Sequence, residues 1–209
     1  MLLFLDIISS IPEFCVIDDN KIILKQKITK SETDKLSDNI IQSYIEIDKH
    51  LNLTQNLTKI STTIGPGSYT SLRVGSAFIS GLMISRKIPY YPLSMEDVLN
   101  FNSLKYSKKT LGVFITSSNN QKFLCYKIKD KDMKYYKIEN NKYTIPKHID
   151  LIIFNKNKII QDNELEQIQF SFFEEFYNNY NNLIFKENII IKPIYISNNQ
   201  LLNWIELVY

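Results

Sequence analysis

The sequence predicts an α/β protein of two lobes, in which mixed sheets are flanked by helices. Three patterns in the 209 residues indicate this class. The chain opens with a meander of strands, a later strand leads through a glycine-rich turn into a helix, and strand-like segments resume at Thr110. We therefore expect a first lobe over residues 1–104 and a divergent second lobe over residues 105–209, whose last helix can pack back on the first.

Apolar runs alternate with turn-prone residues in the first 28 residues. The apolar runs are Leu2–Ile8, Phe14–Ile17 and Lys21–Ile28. Ser9-Ser10 and Asp18-Asp19-Asn20 separate them, which predicts an antiparallel meander. The first run has no basic region before it and carries an early acid, so we interpret it as a buried strand and not as a signal peptide.

The next segment predicts a helix with an unusually wide apolar stripe. Ser31 and Asp34 have the spacing of a capping box. Apolar residues then recur at helical spacing, at Leu36, Ile40, Tyr44, Ile47 and Leu51, joined by Ile41 and Ile45. Such a helix either lies deep in its own domain or presents a face to a partner. The residues that we predict for a partner interface on it are Leu36, Ile40, Tyr44 and Ile47.

The remaining elements follow from the same periodicities. In the first half we expect a strand at Lys59–Ile64, a helix at Thr70–Lys87, a strand at Tyr90–Leu93, and a helix from Ser94 to Leu104 that Ser94 caps with Asp97. In the second half we expect strands at Leu111–Ile115, Lys122–Ile128, Lys134–Ile138 and Leu151–Phe154, and a helix marked by Leu165, Ile168, Phe172, Phe176 and Tyr180.

Glycines cluster around one turn. Four of the five glycines are Gly65, Gly67, Gly75 and Gly81. The turn Gly65-Pro66-Gly67 lets a strand bend sharply into a helix and lets another backbone or a ligand approach closely. Gly75 and Gly81 lie inside the predicted helix, where each costs roughly 1 kcal/mol relative to alanine. Close packing against a flank of low bulk would offset this cost, and the other small residues of that flank are Ser76, Ala77 and Ser80.

The start of this helix has the geometry of an anion site, with its free amides, Ser68, Thr70 and Arg73. It matches neither a Walker A loop nor a dinucleotide fingerprint. No carboxylate occurs between Asp48 and Glu96, so the turn has no local general base or magnesium ligand. Asp6 is the acid placed as a nucleotide-binding fold would place one, and it could equally cap a turn.

Four segments together resemble the TsaB (YeaZ) family. They are the opening strand Leu3-Phe4-Leu5-Asp6, the segment GPGSYTSLRVG from Gly65 to Gly75, the pairs Ile88-Pro89 and Leu93-Ser94, and the tail PIYISNN from Pro193 to Asn199. Family members read GPGSFTGLRIG at the central segment. This chain departs twice: Ser71 stands where glycine is usual, and Thr116-Ser117-Ser118 stands where many relatives have Asp-Ala-Arg.

The resemblance implies an actin/hexokinase-like (ASKHA, ribonuclease H-like) fold and no metal site. It implies a subunit without activity of its own, which forms a heterodimer with TsaD and joins the ATPase TsaE in a larger complex. That complex uses ATP to modify adenosine 37 of ANN-decoding tRNAs, so this chain would bind no cofactor alone and would meet tRNA indirectly. A homodimer is also possible. The partner-facing residues would include Arg73, Ser76, Ala77 and Ser80, and the motif residues are Asp6, Gly65, Pro66, Gly67, Ser68, Thr70, Arg73 and Gly75.

Two other functions stay open on the sequence. A small kinase or ATPase of the same fold would use Asp6 and the Gly67-Ser68 turn, and a stand-alone tRNA-binding module would use the lysines. The net charge of +3 comes from 25 basic and 22 acidic residues, which favours a mixed solvated surface. No apolar run of about 18 residues occurs, so we expect no membrane insertion. The two cysteines and two histidines lack metal-ligand spacing and fit a cytoplasmic protein.

Overall fold

The computed structural model describes residues 1–84, 86–107, 109–128, 131–139, 145–156, 165–187 and 190–196. Within these residues the strands form two five-stranded sheets. The first sheet consists of β1 (Leu2–Asp6), β2 (Glu13–Asp18), β3 (Lys21–Lys27), β4 (Lys59–Thr63) and β5 (Tyr90–Leu93). The second sheet consists of β6 (Leu111–Thr116), β7 (Lys122–Tyr126), β8 (Lys134–Ile138), β9 (Leu151–Phe154) and β10 (Glu166–Gln169).

The two sheets share one topology. Their strand orders are β3-β2-β1-β4-β5 and β8-β7-β6-β9-β10. The central strand of each sheet pairs antiparallel with the next strand of the chain and parallel with the strand on its other side. The predicted meander and mixed sheets are therefore confirmed. The hydrophobic alternation of the second half encodes the same arrangement as that of the first.

Five helices accompany the sheets in the described residues: α1 (Leu36–Leu51), α2 (Leu53–Asn56), α3 (Tyr69–Ile84), α4 (Met95–Lys105) and α5 (Phe172–Asn179). α1 and α3 pack together on one face of the first sheet, where the rings of Tyr44 and Phe78 contact the ring of Phe14. None of the described helices is long and apolar enough to cross a lipid bilayer.

The last helix of each half packs on the sheet of the other half. α4 follows the first sheet but contacts β6, whereas α5 follows the second sheet but contacts β1. The ring of Phe176 stacks on that of Phe4, with 4.5 Å between their centroids, and Phe173 lies beside them. The two sheets therefore share one continuous core of buried side chains between them.

The capping box predicted from Ser31 and Asp34 is wrong. α1 begins at Leu36, with Lys35 at its N-cap and no side-chain cap. The carboxylate of Asp34 instead accepts the N–H groups of Lys30 and Ser31 and the hydroxyl of Ser31. The same residue spacing therefore closes a turn one residue before the helix. The box predicted from Ser94 and Asp97 at the start of α4 is confirmed.

The helix predicted from Leu165 to Tyr180 is wrong in its first half. Glu166–Gln169 forms strand β10, which pairs parallel with β9. Ser171 then caps the short helix α5, because its side chain accepts the N–H of Glu174. Sheet pairing overrides the helical spacing of Leu165 and Ile168, and only the apolar residues after Ser171 lie on a helix.

Loss of the Phe176 ring should weaken both halves of the molecule. Phe176 is fully buried against β1. We expect Phe176→Ala to lower the free energy of unfolding by about 3–5 kcal/mol, because it removes an aromatic ring from a shared core. Leu104→Ala, at a side chain that is 85% exposed, is the matched control and should change it by less than about 0.5 kcal/mol. Urea unfolding measures both, and a loss below about 1 kcal/mol for Phe176→Ala would contradict the shared core.

Candidate functional site

Three other segments of the chain contact the turn between β4 and α3 or the helix that follows it. The first is the tail segment that contains Ile194. The N–H of Ile194 donates to the carbonyl of Ile64 at 2.7 Å. Gly65 has φ +119°, and a Cβ at this residue would lie 2.6 Å from the carbonyl oxygen of Ile194. Glycine is therefore required twice at this position, for its backbone conformation and for the close approach of the tail.

The second contact at this turn joins the two halves of the chain. The hydroxyl of Ser117, just after β6, accepts the N–H of Ser68 at 3.0 Å. A Cβ on Gly67 would lie 3.3 Å from the same hydroxyl oxygen. Ser117 also forms an isolated antiparallel bridge with Ser9, just after β1. The second half of the chain thus contacts the motif turn directly.

The two departures from the family pattern contact each other at this place. The hydroxyls of Ser71 and Ser118 are 3.2 Å apart and share a hydrogen bond. We call the residues Ser9, Ser68, Ser71, Ser117 and Ser118 the seam. A further link between the halves is the ion pair of Lys156 with Glu32, whose side chains are partly exposed, so that it adds little stability.

Asp6 ends β1 beside the seam and is 2% exposed. Its Oδ1 atom accepts the N–H groups of Ile8 at 2.9 Å and Ser9 at 3.2 Å, and the hydroxyl of Thr63 at 3.2 Å. Burial raises the pKa of this carboxyl group, and the hydrogen bonds oppose that rise. Of the two roles that the sequence allows, these contacts are those of a turn cap.

Gly75 and Gly81 do not share one flank of α3, contrary to the prediction. A Cβ on Gly75 would lie 2.5 Å from a side-chain carbon of Ile7. The absence of a side chain at Gly75 therefore lets the loop after β1 pack closely against α3. A Cβ on Gly81 would meet nothing within 4 Å. The two residues are six positions apart, which is about 240° around a helix, so one faces the core and the other faces outward.

The residues predicted for the interface on α1 are buried inside the chain. Leu36, Ile40, Tyr44 and Ile47 belong to its core, so they are not accessible to a partner. Ile41 and Ile45 of the same helix are exposed. The sequence showed both sets in one wide stripe, and the structure separates them.

On α3, Ala77 and Gly81 are exposed, Ser76 and Ser80 are half-buried, and Tyr69 and Ile84 are 57% and 87% exposed. The hydroxyl of Ser76 is buried without a hydrogen-bond partner. We call a set of exposed residues on these two adjacent helices, apolar or small except for Arg73, the α1–α3 face. Its members are Ile41, Ile45, Tyr69, Arg73, Ala77, Gly81 and Ile84, and polar residues such as Asp38, Gln42 and Glu46 are exposed on α1 as well.

The two arginines on or after α3 have different contacts. Arg86 donates to the carbonyls of Thr54 and Gln55, so it caps the end of α2 and not its own helix. Arg73 is exposed and lies over the ring of Tyr69, 5.2 Å from its centroid. Tyr195 of the tail contacts the same ring. Tyr195 is not among the predicted site residues, although it lies in the tail segment that carries the resemblance.

The other predicted motif residues lie at this turn as well. Pro66 and Ser68 are buried within it, and Thr70 is exposed in the first turn of α3. In the described parts of the chain, no three His, Cys, Asp or Glu side chains come together in a group that could hold a metal ion. The thiols of Cys15 and Cys125 are unpaired, and burial raises the pKa of each.

Solved structures that resemble this one include three of similar size. YeaZ from Pseudomonas aeruginosa superposes with a TM-score of 0.51 and 12% identity, over 73% of this chain and 74% of that one. An uncharacterized protein described as similar to the peptidase YeaZ from Pseudomonas aeruginosa gives 0.56 and 12%, over 94% and 99%. A Bacteroides thetaiotaomicron protein of unknown function with an actin-like ATPase fold gives 0.51 and 5%, over 85% and 95%. The predicted actin/hexokinase-like fold is therefore confirmed.

At the level of sequence, no curated protein matches the chain significantly. A family model does match it. This is the model of TsaD, tRNA N6-adenosine threonylcarbamoyltransferase, which aligns with residues 25–183 and thus with more than half of the chain. The chain therefore belongs to the TsaD family and, in its motif and its fold, is like the TsaB (YeaZ) proteins.

Proposed function

We propose that this chain is a non-catalytic scaffold or activator subunit that binds TsaD. The complex so formed makes N6-threonylcarbamoyladenosine at position 37 of ANN-decoding tRNAs. The ATPase TsaE would bind to this complex, and the chain would contact tRNA only through the complex. We expect the complex to be cytoplasmic. The observation that carries the proposal is the seam, because residues of the two halves hydrogen-bond directly to each other at the motif turn.

The distances at the seam support this role. A nucleotide-sized site needs a cleft of about 300–1,000 Å³ lined by convergent polar groups. Here the Ser117 hydroxyl lies 3.0 Å from the Ser68 nitrogen, and the Ser71 and Ser118 hydroxyls are 3.2 Å apart. These groups hydrogen-bond to one another between the two halves of the chain. Separating the halves at this point would break these hydrogen bonds and expose the glycine turn.

The α1–α3 face supports the partner role. Large exposed apolar side chains gathered on neighbouring elements are typical of protein–protein contacts. Ile41, Ile45, Tyr69 and Ile84 supply such side chains. Ala77 and Gly81 lie among them with little bulk, so a helix of TsaD could approach the backbone of α3 closely. We therefore assign the TsaD contact to this face and not to the buried stripe of α1.

A small kinase or ATPase is the second candidate, and its support is the position of Asp6 at the end of β1. In this structure Oδ1 of Asp6 accepts three hydrogen bonds from its own turn and from Thr63. A carboxylate so engaged would need to leave these donors before it could bind a metal–phosphate group. The proposal of a non-catalytic subunit therefore takes precedence.

Changes on the α1–α3 face should weaken binding to TsaD from the same organism. We expect Ala77→Arg and Ile45→Asp each to weaken the dissociation constant at least about thirty-fold, because each places a charge in a desolvated contact. Leu104→Asp, at an exposed apolar side chain on α4, should leave it unchanged. Titration calorimetry with purified TsaD measures all three. If wild-type protein does not bind TsaD at all, the proposed function is wrong.

The enzyme alternative predicts a different result for Asp6. If the chain were an ATPase, the isolated protein would hydrolyse ATP and Asp6→Asn would remove this activity. We expect turnover by wild type and Asp6→Asn to be equal and no higher than that of buffer with magnesium. A coupled phosphate-release assay on the isolated chain decides the matter. Turnover that Asp6→Asn abolishes would establish the enzyme alternative.

The turn-cap role of Asp6 predicts the pH dependence of stability. Because burial raises its pKa in the folded state above the ordinary value of 3.8, the unfolded chain ionises first as pH rises. Wild type should therefore lose stability from about pH 4 up to the raised pKa. Asp6→Asn keeps the Oδ1 acceptor and should lack this loss, whereas Asp6→Ala should be less stable by about 1–3 kcal/mol. Urea unfolding at several pH values measures this, and parallel curves for wild type and Asp6→Asn would contradict it.

A further inference from the structure

Arg73 is an exposed cation in an apolar setting. Its guanidinium lies over the ring of Tyr69 and contacts the hydroxyl of that residue at 3.5 Å. Among the described residues it has no ion-pair partner. It is also the sole basic residue of α3, and no acid occurs in the sequence between Asp48 and Glu96. Arg73 is therefore the one charged residue of α3, and it forms no ion pair with a described residue.

The tail holds this cation in place through Tyr69. The rings of Tyr195 and Tyr69 are 4.9 Å apart between centroids, and Ile194 is hydrogen-bonded to the strand end just before the turn. Arg73 also acts electrostatically on the phenol of Tyr195, so the three side chains form one cluster. A guanidinium stacked on a ring loses less rotamer freedom when it binds than one that is free in solvent.

We propose that Arg73 is a specificity-determining residue of the TsaD contact, where it pairs with a carboxylate of TsaD, and that Tyr195 is its positioning residue. This inference rests on the proposed function. The chemistry of the guanidinium group supports it, because its planar fork is matched by a carboxylate in a bidentate pair. Ala77 lies one helical turn further along α3, so a partner segment can come close enough to place its acid on Arg73.

The surroundings favour a protein carboxylate over an RNA phosphate. Contacts to nucleic acid draw on several clustered lysines and arginines. Arg73 has Ala77, Gly81 and Ile84 along its own helix face, and this composition is typical of the rim of a protein–protein contact.

The test measures the affinity of the full chain for purified TsaD. Arg73→Gln should weaken the dissociation constant at least about thirty-fold, since it leaves a partner carboxylate unpaired, and Arg73→Lys should restore only part of the loss. Wild-type binding should weaken with added salt more steeply than binding of Arg73→Gln. Lys134→Gln removes one exposed positive charge on β8 and is the matched control, with no expected change.

A double-mutant cycle tests the positioning role. Tyr195→Ala should weaken binding about three- to ten-fold in the wild-type background and should have almost no effect when Arg73 is already Gln. Tyr195→Phe keeps the ring and should bind as wild type. Equal effects of Tyr195→Ala in both backgrounds would mean that the tyrosine acts independently of Arg73 and would overturn the positioning role.

The outcomes separate this inference from the proposed function. If wild type fails to bind TsaD, the proposed function is wrong. If wild type binds and Arg73→Gln binds equally well, the function stands and the charge pair is wrong. If Arg73→Gln leaves the TsaD affinity unchanged but weakens tRNA binding by the assembled complex, the residue contacts RNA and the inference is overturned.

Discussion

Close backbone approach at the turn between β4 and α3 is the constraint on which the rest of the structure depends. Three segments reach this turn from different parts of the chain, and each meets a glycine. The tail meets Gly65, the segment after β6 meets Gly67, and the loop after β1 meets Gly75. A methyl group at Gly65 or Gly75 would overlap its neighbour. The cost of Gly75 in α3 is therefore offset by packing that no other residue allows.

The seam follows from this close approach. Because the turn lies so near Ser117, hydroxyl groups can bridge the two halves here, in addition to the hydrogen bonds and ion pairs that join them elsewhere. The helices α4 and α5, each of which packs on the sheet of the other half, supply the apolar contacts between the two halves. A chain held in this way presents a rigid surface at α1 and α3. Rigidity benefits a subunit whose proposed task is to bind and support an enzyme, since less freedom is lost on binding.

The sequence predicts much of this fold because hydrophobic periodicity and turn residues are local signals. The meander, the capping box at Ser94 and the repeated topology all follow from them. Residues 165–169 escape prediction because their helical spacing competes with pairing to β9, which is a contact between segments. The role of Ser31 and Asp34 is predicted wrongly because the same spacing suits both a helix cap and a turn. The candidate interface is more difficult to predict than the fold. A wide apolar stripe in the sequence does not show that Ile40 is buried while Ile41 is exposed.

The exchanged helices also affect how the protein is made. Phe4 leaves the ribosome well before the rings that cover it, because these lie on α5, much later in the sequence. Until residues 172–179 have emerged, one face of the first sheet has no helix to pack against. The first half of the chain therefore cannot bury all of its apolar side chains before α5 has been synthesised. These side chains stay exposed to aggregation until then. A folding route of this kind favours rapid completion of the chain, or a partner that shields the sheet meanwhile.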